Sequence, residues 1–245
     1  MKTLRMAPFA AWMYVNLRHL SPFKKVIDRA RAEEDFETER EAILDATKTW
    51  GDTCAKKTGL NLIVEGNTDL PSGPVVFVSN HQGYGDILAY CVAIRDKQFG
   101  FVAKNDLHQI PVFGRWIERV RSVFIERDDA RASLRAIETG INYLKDGFSL
   151  AIFPEGTRSK GDEMEEFKKG SLRLATKAGV PVIPVTLSGT WHLYEENGCI
   201  QPTDARFYFH NPIYTEGMPK KEMNDLAARV EEIIREKLDE YNSKI

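Results

Sequence analysis

Val75-Val76-Phe77-Val78-Ser79-Asn80-His81-Gln82-Gly83-Tyr84-Gly85-Asp86 opens with four apolar β-formers, turns through two glycines and passes into Ile87-Leu88-Ala89-Tyr90, where a helix is expected to about Ile94. A short apolar strand followed at once by a helix is the building unit of an α/β layer structure. The alternation extends on both sides. Runs at Leu62–Val64, Phe99–Val102, Ser122–Ile125, Ser149–Phe153, Val182–Val185 and Arg206–Phe209 read as further strands, with helical patterns near Ala130–Lys145, Ser171–Lys177 and Lys220–Tyr241. The expected fold is α/β: a mostly parallel central sheet flanked by helices, with an N-terminal membrane-interfacial two-helix segment. Residues 1–58 form that helical membrane-docking segment and residues 59–245 the α/β domain.

The start of the chain differs in character. Met6 to Leu17 carries no charge between Arg5 and Arg18, and it falls short of the roughly 20 apolar residues a spanning helix needs. It also lacks a small-residue cleavage site for a signal peptide. An interfacial segment fits better, with Phe9, Trp12, Met13, Tyr14 and Leu17 entering the apolar boundary and Arg18, Lys24 and Lys25 reaching anionic headgroups. The sign then reverses through Glu33, Glu34, Asp35, Glu37 and Glu39, and a second helix is expected from about Lys24 to Lys57, ended by Thr58-Gly59. The same charges also suit a helical pair packed on its own domain, with a solvated outer face.

Composition narrows the function. The 245 residues are 42% hydrophobic, and 34 Lys+Arg against 36 Asp+Glu leave a formal net charge of −2. No global field recruits nucleic acid, so any phosphate contact is local. Cys54, Cys91 and Cys199 are odd in number and dispersed, which argues against a disulfide framework. His19, His108, His192 and His210 lack metal-ligand spacing, and no metal is expected.

The residues just beyond each strand are more informative. Val75–Val78 leads to His81, Phe99–Ala103 to Lys104, Ser122–Ile125 to Glu126-Arg127, and Ser149–Phe153 to Pro154-Glu155-Gly156-Thr157-Arg158. Ligands of open α/β sheets bind beyond the carboxyl ends of the strands, so parallel neighbours would gather one imidazole and three cations on one rim. His81 and Asp86 would stand roughly 140° apart on a continuous helix; a bend at Gly83 and Gly85 lets the carboxylate hold one imidazole nitrogen while the other faces a substrate. Alternatively His81 caps the helix and Asp86 complements its dipole. Spacing alone leaves both readings open.

Asn80-His81-Gln82-Gly83-Tyr84-Gly85-Asp86 and Phe153-Pro154-Glu155-Gly156-Thr157-Arg158-Ser159 resemble the first and third motifs of the glycerolipid acyltransferase family, including its bacterial 1-acylglycerol-3-phosphate acyltransferases. Lys104, Pro111, Gly114 and Phe124-Ile125-Glu126-Arg127 resemble the second motif, and Val180–Val185 the fourth. Gly83 departs from the pattern, since many members carry Ser there.

The resemblance implies transfer of a fatty acyl group from a thioester, carried by coenzyme A (acyl-CoA) or acyl carrier protein (acyl-ACP), to a glycerol hydroxyl of a phosphate-bearing acceptor. The specific expectation is phosphatidic acid made from lysophosphatidic acid, with no cofactor beyond the donor. His81 would be the general base and Asp86 its orienting partner, in direct transfer, because no Ser or Cys stands beside His81 as a persuasive nucleophile. The loop Phe153, Pro154, Glu155, Gly156, Thr157 and Arg158 would bind the acceptor, with Lys104 and Arg127 as further cations and Glu155 positioning Arg158 or accepting a substrate hydroxyl. The phospholipid membrane would be a partner, with the protein monotopic or peripheral on the cytoplasmic face of the cell membrane. Glycerol 3-phosphate or another lysolipid as acceptor, and a noncatalytic lipid-binding protein, are the alternatives.

Overall fold

The computed structural model describes residues 2–126 and 129–243. The sheet follows directly from the apolar runs: β1 (Leu60–Gly66), β2 (Val76–Ser79), β3 (Phe99–Lys104), β4 (Val123–Ile125), β5 (Ser149–Ile152), β6 (Val182–Ser188) and β7 (Thr203–Phe209). They lie in the order β1-β7-β6-β2-β5-β3-β4. β2 runs parallel to both β5 and β6, and β3 parallel to β5 and β4. Among these described strands only the β6–β7 pairing is antiparallel, since β1 and β7 run parallel to each other. The carboxyl ends of β2, β5, β3 and β4 therefore share one rim, as an α/β sheet with short apolar strands requires.

Both sheet faces are covered, which is why β2, β5 and β6 are buried at every position. One face packs Val76, Val78, Leu150 and Val182 against Leu144, Leu174, Val230 and Ile234. These last belong to α6 (Ala130–Lys145), α7 (Arg173–Ala178) and α8 (Lys220–Asn242). The other face packs Phe77, Phe99 and Phe207 around Tyr90 of α4 (Gly85–Ala93), with Phe207 meeting Tyr90 edge-on at 5.0 Å. α5 (Phe113–Arg119) precedes β4.

The N-terminal segment is helical throughout: α1 (Lys2–His19), α2 (Ser21–Ala32) and α3 (Phe36–Thr58). The helix expected from Lys24 to Lys57 is divided because the acidic run is a turn and a cap. The Asp35 carboxylate accepts from the Thr38 amide at 3.1 Å, and Glu37 and Glu39 stand in the first turn of α3. Gly59, at φ 77°, closes α3. Leu17, expected at a lipid boundary, is instead buried with Leu20, Ile27 and Ile43, because α2 and α3 cover that side of α1. Lys24 is exposed but bonds Asp28 at 2.7 Å, whereas Tyr14, Val15, Arg18 and Lys25 are exposed. Among the described residues no helix is long and apolar enough to cross a membrane.

The helices are fastened to the body by charge. Glu39 is fully buried and accepts from Arg31 Nε at 2.8 Å and from Arg121 Nε and Nη2 at 2.8 and 2.6 Å. Arg121 lies over Phe148, with its guanidinium carbon 4.6 Å from the ring centre. Removing one member of such a cluster leaves buried charge uncompensated. Glu39→Ala is expected to lower unfolding free energy by about 3–5 kcal/mol, read from the urea midpoint; an unshifted midpoint contradicts this role.

Candidate active site

The turn between β2 and α4 is shaped by side chains bonding backbone. Asn80 makes a reciprocal pair with Leu187 of β6: its amide donates to the Leu187 carbonyl and its carbonyl accepts the Leu187 N–H, both at 2.8 Å. His81 comes next, outside the helix, and α4 begins only at Gly85. That bend brings the two groups together: His81 Nδ1 lies 2.6 Å from Asp86 Oδ2. Asp86 is fully buried, and the same Oδ2 accepts the Gly83 N–H at 2.9 Å while Oδ1 accepts the Thr190 hydroxyl.

With donors on three sides, the carboxylate requires the imidazole proton on Nδ1. That tautomer leaves a lone pair on Nε2, which has no hydrogen-bond partner among the described residues, and the side chain is 18% exposed. Phe153, at the end of β5, stacks on the imidazole with ring centres 4.0 Å apart.

The loop after β5 is strapped to the His81 turn. Ser159 N–H bonds the His81 carbonyl at 2.8 Å and Lys160 N–H the Gln82 carbonyl at 3.0 Å. Pro154 is buried and its carbonyl accepts the Lys168 N–H at 3.1 Å. Glu155 differs from expectation: it touches neither Arg158 nor open space. One oxygen accepts the His81 N–H and the other the Glu165 N–H, the latter at 2.9 Å. It is 3% exposed, and burial pushes its carboxyl up to about 7, against those amide bonds.

The cations are also arranged differently. Arg158 Nη1 bonds Glu195 Oε1 at 2.8 Å and its guanidinium carbon lies 3.9 Å from the Tyr84 ring centre. Lys104 is exposed and paired with Asp106. Arg127 lies outside the described residues. Thr157 is exposed. Gly156, at φ 71°, holds space for a cation that sequence reasoning missed, because a Cβ there would stand 2.7 Å from Lys168 Nζ. Lys168 is exposed and makes no ion pair among the described residues.

An apolar cavity of about 80 Å³ lies where α1, α3, α4 and α5 meet β3, lined by Leu17, Trp50, Ile87, Cys91, Phe101 and Trp116 among others. Phe101 stacks with Phe153, ring centres 6.2 Å apart, so the wall of the cavity reaches the ring that backs His81. Cys54 and Cys91 are buried, which raises both thiols and leaves them inert. The Trp191–Tyr194 stretch packs Leu193 in the interior and sets Tyr194 against Tyr84 at 5.6 Å. Among the described residues no group of three or more His, Cys, Asp or Glu could hold a metal.

A parallel sheet that presents one oriented imidazole beside an arginine-bearing loop defines a group-transfer or hydrolytic site. The Acyltransferase family model matches residues 61–188, more than half of the chain, and the chain belongs to the acyltransferase family. It is 37% identical over 155 residues to a chloroplastic 1-acyl-sn-glycerol-3-phosphate acyltransferase of Brassica napus, covering 62% of this chain and 44% of that protein. It is 28% identical to a 1-acyl-sn-glycerol-3-phosphate acyltransferase of Haemophilus influenzae, over 69% of this chain and 70% of the other. The crystal structure of the 1-acyl-sn-glycerophosphate (LPA) acyltransferase PlsC from Thermotoga maritima superposes with a TM-score of 0.78 at 28% identity, covering 99% of this chain and 98% of that one. The chain spans less than half the length of the plant relative.

Burial of Glu155 has a pH consequence. Its folded pKa, about 7, stands above the ordinary 4.5, so its contribution to stability is complete below about 4.5 and lost as pH rises through about 7, by roughly 3 kcal/mol. Glu155→Gln is expected to lack that slope, as denaturation midpoints between pH 4 and 8 would reveal. An equal slope in both proteins assigns the dependence to another group.

Proposed function

We propose that this protein transfers a fatty acyl group from an acyl thioester to the free hydroxyl of 1-acyl-glycerol 3-phosphate and so forms phosphatidic acid. The observation that carries the reading is the imidazole whose Nδ1 is held by buried Asp86 while Nε2 stays open, on a turn hydrogen-bonded to the Arg158 loop. The names of the similar proteins support the acceptor class.

In the reaction, Nε2 of His81 takes the acceptor hydroxyl proton as the oxygen attacks the thioester carbonyl. Asp86 stabilises the imidazolium, and collapse expels the thiolate, which recovers that proton. Transfer is direct: no nucleophilic side chain is hydrogen-bonded to Nε2 among the described residues, and the buried thiols are silent. The acceptor phosphate meets Arg158, with Lys168 as a second cation, and the apolar cavity behind Phe101 and Phe153 takes the start of an acyl chain. The donor is acyl-CoA or acyl-ACP; no metal or other cofactor enters the scheme.

Membrane contact is proposed through the exposed side of the N-terminal helices, on the cytoplasmic face, monotopic or peripheral. Tyr14 and Val15 are 47% and 54% exposed, and Arg18 and Lys25 are exposed beside them in sequence. Phe9, Trp12 and Met13 are half-buried, and Trp12 also lies under Lys57 Nζ at 5.7 Å.

Product analysis with lysophosphatidic acid and a panel of acyl thioesters tests the reading; release of free fatty acid alone would make the protein a hydrolase. His81→Ala should lose roughly 10²–10⁴-fold in kcat. Arg158→Ala should cost acceptor kcat/KM roughly 1.5–3 kcal/mol, and labelled donor alone should leave no acyl-enzyme. Replacing Tyr14 and Val15 by Ser, with Arg18 and Lys25 by Glu, should reduce sedimentation with anionic liposomes while the thermal midpoint holds. Undiminished sedimentation moves the docking surface elsewhere.

A further inference from the structure

Glu195 lies beyond the turn after β6 and takes no part in the proposed proton transfer, yet its side chain is only 4% exposed. Burying a carboxylate is costly unless it is paired and hydrogen-bonded. Its Oε1 accepts two bonds, from the Tyr84 N–H at 2.9 Å and from Arg158 Nη1 at 2.8 Å. Its Oε2 is buried with no partner. The Tyr84 ring lies against the same guanidinium, its centre 3.9 Å from the guanidinium carbon. One carboxylate oxygen thus links the Tyr84 amide to the cation that the proposed acceptor would meet, while His81 itself is held by Asp86, Glu155 and the Ser159 amide.

The space beside Gly83 is filled by the same group. A Cβ built on Gly83 would stand 2.3 Å from Glu195 Oε2, 2.6 Å from its Cδ and 3.0 Å from Oε1, and these are its three nearest atoms. The backbone of Gly83 does not adopt a positive φ. Its lack of a side chain therefore serves the carboxylate and not the backbone.

We propose that Glu195 is the positioning residue of the acceptor site: it holds the Arg158 guanidinium against Tyr84 so that the remaining N–H groups meet the acceptor phosphate, and Gly83 exists to admit it. This rests on the proposed function for the identity of the ligand, though not for the clamp itself. Arg158 would otherwise have to be ordered by the substrate at a cost in binding.

The clamp makes Gly83 and Glu195 a coupled pair. Glu195→Ala should raise the acceptor KM about tenfold, with the donor KM and kcat within about threefold. Gly83→Ala should displace the carboxylate and raise the acceptor KM similarly. The double variant should be no worse than Glu195→Ala alone, because the collision has gone with the clamp. Glu195→Gln keeps one carbonyl for both donors and sets its NH₂ where Oε2 lacks a partner, so it should recover most of the loss.

A second readout needs no turnover. The ¹⁵N relaxation of the Arg158 Nε–H, assigned by its loss in Arg158→Lys, should report a rigid side chain in the parent and in Glu195→Gln and a mobile one in Glu195→Ala. Multiplicative KM losses in the double variant, equal loss on the donor and acceptor sides, or an Arg158 signal equally mobile in the parent and Glu195→Ala would each overturn the proposal. Absence of phosphatidic acid from the parent protein would instead sink the proposed function, and the relaxation result would still decide the clamp.

Discussion

The site depends on how one buried carboxylate is satisfied. Asp86 has no access to water, so its charge is tolerable only if donors surround it. They come from three places in the chain: the His81 ring, the Gly83 amide and the Thr190 hydroxyl. The imidazole thereby has one orientation and one tautomer, and the rest of the turn is built to keep it there. Asn80 locks the turn to β6 through Leu187, and Phe153 closes the other face of the ring. The N-terminus of α4 adds its own partial positive charge at the position where the carboxylate sits.

Glu155 performs the equivalent task for the backbone. A carboxylate next to the proposed general base would compete with substrate if it faced the opening. Here both oxygens are taken by amides, from His81 and Glu165, so it joins the β2 and β5 loops as a brace. The neighbouring Ser159 and Lys160 amides complete that seam. Chemistry at the rim therefore rests on loop-to-loop hydrogen bonds that only a parallel β2–β5 pairing makes possible.

The sheet was legible because seven short strand-forming runs sit between turn residues, and in β2, β5 and β6 burial on both faces removes any need for alternation. The His81–Asp86 contact was legible as one of two possibilities, but the expected role of the glycines was not: neither Gly83 nor Gly85 takes a positive φ, and they make room for Glu195 and the Thr190 carbonyl instead. Other features depend on partners far along the chain. Thr190 lies 104 residues from Asp86 and Glu195 lies 37 from Arg158, and nothing local marks either. Arg158 was paired with Glu155 and not with Glu195 because that contact is tertiary, whereas the partner of Lys104 is the nearby Asp106; Lys168 escaped because its relation to Gly156 is steric. Leu17 looked lipid-facing for the same reason: an apolar side chain suits a membrane and a core equally, and only the positions of α2 and α3 decide. The break at Glu33–Asp35 was hidden by reading acidic residues as a solvated face, whereas Asp35 caps α3 and Glu39 binds two arginines.

α4 joins the two halves of the proposed chemistry. Asp86 stands at its first turn, and Ile87 and Cys91, four residues apart and hence on one face, line the apolar cavity. Tyr90, fully buried among Phe77, Phe99 and Phe207, fixes how the helix sits on the sheet. The helix cannot shift to widen the cavity without carrying Asp86 and the imidazole with it. Close packing transmits small displacements, so the fit of an apolar tail and the aim of Nε2 are set by the same nine residues. In the proposed scheme, a tail that overfilled the cavity would disturb the base before it was excluded by volume, and tail length would then affect turnover as much as binding.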